Sequence, residues 1–167
     1  MRGMTVRVPL RLSRTTDRGC HGDLLLELGG WRHECDSYYL AIDDSPRAGA
    51  DIAQGLVRLL DQWLEQLERL PQLGTGGRVF LPFDFSDEYT GWLRVSSGGG
   101  GPVTVEAGWS GVEGWSFHPS DIAATAGLVG DFKPIDGAGI ECGLGDLVAA
   151  VTGNRVELGA GTAGGTA

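Results

Sequence analysis

VFLPFDFSDEYTGWLRV, residues 79–95, holds two apolar runs around a short polar connection. Val79, Leu81, Phe83 and Phe85 alternate with other residues, and Leu93 and Val95 continue the alternation beyond the connection. A period of two marks strands with one buried face. A connection this short joins antiparallel neighbours. Asp84, Asp87 and Glu88 lie at that connection, among Phe80, Phe83, Phe85, Tyr89 and Trp92. Such acids could hold a hard cation or share general acid–base work. Their spacing matches no calcium loop, and no glycine supplies its sharp central turn. Asp and Ser also favour turns by bonding their own backbone. The turn reading leads, which makes the three acids candidates for an exposed recognition rim.

Upstream, Ile52, Leu56, Leu59, Leu60, Trp63, Leu67 and Leu70 form a stripe of helical period. Asp51 and Gln54 stand where a capping pair belongs, Glu65 and Arg69 are spaced as a surface pair, and Pro71 stops the run. Further back, MTVRVPLRLSR, GDLLLELGG and SYYLAID read as three strands, the first an edge because of Pro9. Downstream, SSGGGG reads as a hairpin loop and PVTVEAGW as a returning strand with Val103, Val105, Ala107 and Trp109 inward. A short strand through Phe117 and a short helix capped at Ser120 or Asp121 follow. AGIEC reads as a last strand and LGDLVAAV as a last short helix. The pattern predicts an α+β protein: a mainly antiparallel twisted sheet, one long amphipathic helix packed on one face, and short C-terminal helices. Residues 1–158 are expected to form one domain. Residues 159–167, rich in Gly, Ala and Thr, offer nothing to bury and are expected to be disordered.

The 167 residues are 41% hydrophobic and 21% charged, an ordinary globular composition. Net charge is −9, all of it from residue 48 onward, where fifteen acids face six bases. Such a surface repels nucleic acid and anionic membrane and attracts a basic partner. No run is long and apolar enough for a membrane helix, and the N-terminus lacks the apolar core of a secretory signal. Cys20, Cys35 and Cys142 are an odd number, expected as free thiols in the cytoplasm.

Other constellations are weaker. Cys20-His21 and His33-x-Cys35 supply zinc-type residues without the usual ligand spacing. His118 has serines and Asp121 nearby, but no nucleophile elbow is present. The glycine runs lack the Lys-Ser/Thr of a phosphate loop. Gly-Trp-Ser occurs at 108–110 and again at 114–116, with Glu113 between the two tryptophans. Tryptophan fills cores and also anchors interfaces.

In YLAIDDS, LDQWLEQLERL, LPFDFSDEYTGWLRV and AGWSGVEGWSFHPSD the chain resembles small uncharacterised proteins of GC-rich actinobacteria, over about Val6 to Val151. Its size, acidity and helix-on-sheet plan are similar to immunity proteins that neutralise contact-dependent toxins. The resemblance carries over no catalytic residue. The expectation is a non-enzymatic, cytoplasmic binding protein of immunity or inhibitor type that recognises a basic protein partner, without cofactor, metal, nucleic acid or membrane. Its binding face is expected at Asp84, Asp87, Glu88, Tyr89, Trp109, Glu113 and Trp115. The alternatives are a small metal-dependent hydrolase using Asp84, Asp87, Glu88 and His118, and a sugar-binding module using paired Trp rings.

Overall fold

The structure is a computed structural model that describes residues 8–15, 22–37, 52–86, 88–116 and 121–160, the Trp115 side chain excepted. The chain is α+β, with two antiparallel sheets where the sequence predicts one. The first sheet has order β1-β2-β3, from Leu10–Arg14, Leu24–Leu28 and Trp31–Cys35. The second has order β4-β5-β6-β7, from Arg78–Phe85, Thr90–Ser97, Pro102–Ser110 and Lys133–Gly143. The predicted strand over SYYLAID and the short strand through Phe117 lie outside the described residues, as do the Asp51 cap and His118.

Helix α1 spans Ile52–Arg69 and continues as a 3-10 turn over Leu70–Leu73, where Pro71 sits in the first turn. Its stripe goes inward as the period requires: Leu56, Leu59, Leu60, Trp63 and Leu67 are buried. Trp63 also donates its indole N–H to the Pro82 carbonyl of β4 at 3.1 Å, which ties the helix to the second sheet. Arg69 reaches Gln66 Oε1 at 3.4 Å. Helix α2, Ile122–Ala126, is capped by Asp121, whose carboxylate accepts from the Ala124 N–H at 3.1 Å. Gln62 of α1 accepts from the Ile122 N–H at 2.8 Å and seats that short helix.

The last helix departs from expectation. Helix α3 covers Leu144–Ala160, far longer than LGDLVAAV, and includes Gly159 and Ala160 of the expected tail. Residues 161–167 lie outside the described residues. Leu147, Ala150, Val151, Asn154 and Leu158 are its buried face. The Asn154 amide donates to the Leu10 carbonyl of β1 at 3.3 Å, and Arg155 pairs with Asp61 of α1. Leucines of the first sheet, the α1 stripe, the inner face of the second sheet and Leu147, Val151 and Leu158 of α3 form one hydrophobic cluster. No described helix is long and apolar enough to cross a membrane.

Candidate functional site

The acids and aromatics of residues 79–95 meet β3 where the two sheets touch. On β3, Trp31, His33 and Cys35 alternate with Arg32 and Glu34, so the first three share a face. That face lies on the second sheet. His33 is stacked on Trp31, with centroids 5.6 Å apart and planes 4° apart, and stands edge-on to Phe83 at 5.4 Å and to Trp109 at 5.5 Å. Its Nε2 lies 2.8 Å from Asp84 Oδ2. A carboxylate only accepts, so this bond places a hydrogen on Nε2. The two side chains retain 24% and 16% of their exposure, so the pair is half-buried and walled by rings.

A break of register in β4 between Pro82 and Asp84 sets this geometry. Phe83 stays fully buried, and Asp84 is brought to His33. Beyond it, the Ser86 N–H donates to the Tyr89 carbonyl at 2.8 Å and closes the β4–β5 connection. Tyr89 is 42% exposed, and its ring meets Trp109 at 5.0 Å in an edge-to-face contact. Gly91 makes room for this corner: a Cβ there would stand 2.8 Å from Trp109 Cζ3 and 3.0 Å from the Phe83 ring.

The segment after β6 lies against the same connection, because Gly114 packs on the Ser86 backbone with no space for a side chain. Glu88 and Glu113 are both exposed here. Asp131 braces the segment. It accepts from the Ser110 hydroxyl at 2.6 Å and from the Gly111 N–H at 2.8 Å. The Ser110 hydroxyl first, and then the Gly111 N–H, hold its carboxyl below the ordinary value.

Of the residues singled out in the sequence, the structure therefore joins Asp84, Tyr89 and Trp109 in one cluster, with Glu88 and Glu113 exposed at the same end of the sheet. Asp84 is turned inward to a partner and is not part of an open rim. Asp87 and the Trp115 side chain lie outside the described residues. Trp31 and His33 are the residues that sequence reasoning did not assign to this cluster. The alternation of Trp31, His33 and Cys35 marks a strand face in the sequence, although His and Cys are also zinc-type residues.

Of the zinc-type residues, Cys20 and His21 lie outside the described residues. Cys35 is buried and free, and burial first, then the charges of Asp84, Asp36 and Asp23, raise its thiol far above the ordinary range. Among the described residues no three His, Cys, Asp or Glu side chains are grouped to hold a metal ion.

Fold and site together define an α+β protein with a His–Asp pair set in an aromatic cluster and exposed carboxylates beside it. No family model matches the chain, and no curated protein does. Among solved structures, one chain of the CdiA-CT/CdiI toxin and immunity complex from Enterobacter cloacae is similar over 81% of this chain and 84% of that chain. The identity is 15% and the TM-score 0.43, too low to carry an argument about function.

Proposed function

We propose that this chain is a non-enzymatic binding protein of immunity or inhibitor type, acting in the cytoplasm on a basic protein partner. Kinship with small actinobacterial proteins belongs to the same proposal. The observation that carries the reading is the Tyr89–Trp109 corner: a part-exposed tyrosine braced edge-on by a half-buried tryptophan, with Glu88 and Glu113 exposed beside it. Rigid aromatic anchors in a frame of charge are the composition of an interface hot spot. The His33 ring, bonded to Asp84, stands edge-on to Trp109 of this corner. Asp87 and Trp115 belong to the proposed face by their position in the sequence.

Carboxylates around aromatic anchors favour a partner rich in Lys or Arg, whose side chains can pair with the acids and lie over the rings. The hydrolase alternative draws no comparable support, since Asp84 is committed to His33 while Glu88 is exposed.

The test is co-purification from the native host, followed by association kinetics with the recovered partner. Tyr89→Ala is expected to speed dissociation, and Glu88→Gln with Glu113→Gln to slow association and flatten its salt dependence. A recovered partner whose kinetics ignore all three substitutions would remove this face from the reading.

A further inference from the structure

A cavity of about 540 Å³ opens between the start of β1, the end of β7 and the first turns of α3. It is remote from the Tyr89–Trp109 corner: Trp109 pairs with Lys133 at one end of β7, whereas Val103 pairs with Cys142 at the other. Its size falls in the range of small-molecule sites, about 300–1,000 Å³.

The wall is aliphatic, formed by Val8, Pro9, Ile140, Ala149 and Ala150. Strand alternation sets Ile140 and Cys142 on one side, and helical spacing sets Asp146, Ala149 and Ala150 on another. Small side chains on α3 leave the space open. At the β2–β3 turn, Gly29 has φ 57° and its backbone lies directly on Ile140; a Cβ there would come within 2.6 Å of that side chain.

The ionisable groups in the lining are Glu141, Cys142 and Asp146. None is cationic. Glu141 is exposed on the opposite face of β7 from Ile140 and Cys142, Asp146 is exposed beside Cys142, and the ion pairs among the described residues engage neither. Burial first, and then the Asp146 charge, push the Cys142 thiol up. The thiol therefore stays mostly protonated at neutral pH, lines the apolar wall and reacts only slowly with electrophiles.

We propose that this cavity is a binding site for a small amphiphile with a compact apolar body and one protonated amine. The body displaces water from the aliphatic wall, and the amine stays at the mouth beside Asp146. The site is independent of the proposed partner-binding face.

The test uses the full chain and three matched probes: adamantylmethylammonium, adamantylmethanol and adamantanecarboxylate. Binding is followed by amide NMR and by the rate of iodoacetamide alkylation at Cys142, read by peptide mass spectrometry. The ammonium probe is expected to saturate one site, to shift resonances of Cys142, Ala149 and Ala150, and to slow alkylation several-fold. The carboxylate should bind about tenfold more weakly, the alcohol in between. Asp146→Asn should narrow that gap. Ala149→Leu should fill the cavity and remove binding with the unfolding midpoint unchanged, while Asp136→Asn, outside the lining, should change nothing. Equal binding of the ammonium and carboxylate probes overturns the proposal. So does binding that survives Ala149→Leu, or the lack of any saturable ammonium binding.

Discussion

At the residue scale the His33–Asp84 pair is the most consequential contact. It joins the two sheets through side chains, at 2.8 Å and largely out of water. Removing one member leaves the other half-buried without its partner. His33→Ala is expected to destabilise the fold by about 1–3 kcal/mol in urea unfolding. In a double-mutant cycle with Asp84→Ala, the coupling should exceed about 0.5 kcal/mol. A coupling near zero would mean that the rings alone position His33. Asp131 carries a pH signature of opposite origin to a raised group. Its folded carboxyl lies below the ordinary 3.8 because Ser110 and Gly111 donate to the ionised form. Its stabilisation is therefore present above the unfolded value and is lost as pH falls through the lower folded one. Asp131→Asn should lower stability at neutral pH and flatten the acid arm of the profile, measured by denaturation at a series of pH values. Asp131 is exposed, so solvent screens the effect.

At the element scale, α1 and α3 differ in how their sequences declare them. The α1 stripe is long, leucine-rich and closed by Pro71, so its period and its end are both plain. Helix α3 has the same period in its buried set, but Ala150 and Asn154 occupy stripe positions, and Gly145, Gly153 and Gly159 lower its propensity. Contacts compensate: Asn154 bonds the Leu10 carbonyl, and α3 packs beside α1 and β1. Asn154→Ala should cost about 1 kcal/mol and loosen the β1 end first, seen as faster amide exchange in Leu10–Arg14. Strand β5 offers a second element-level test. Gly91→Val would drive a side chain into Trp109 and Phe83. The expected result is a loss of about 1–3 kcal/mol with a changed near-ultraviolet signal from Trp109.

At the scale of the whole molecule, two sheets share one hydrophobic cluster with α1 and α3. Heat or urea is therefore expected to give coincident transitions by tryptophan fluorescence and far-ultraviolet dichroism. Separate transitions would show that the sheets melt independently. The net charge of −9 acts at this scale too. Association with the proposed basic partner should slow steeply as salt shortens the screening length to about 8 Å and below.

By itself, the sequence determined the local facts. Period two in residues 79–95 and in 102–110 made strands, and Val79, Leu81, Phe83, Leu93, Val95, Val103, Val105 and Ala107 are buried on them, whereas Phe85 and Trp109 are only partly buried and Trp92, of the opposite parity to Leu93, is fully buried. Period 3.6 made α1, and Asp121 capped α2. These follow from side-chain direction along a single element, which neighbours in sequence specify. Tertiary structure alone decided the division into two sheets and the pairing of His33 with Asp84, 51 residues apart. It also decided the burial of Asn154 beneath β1 and the cavity at Cys142. Each of these depends on which elements meet, and that is set by mutual packing of the whole core, which no local period encodes.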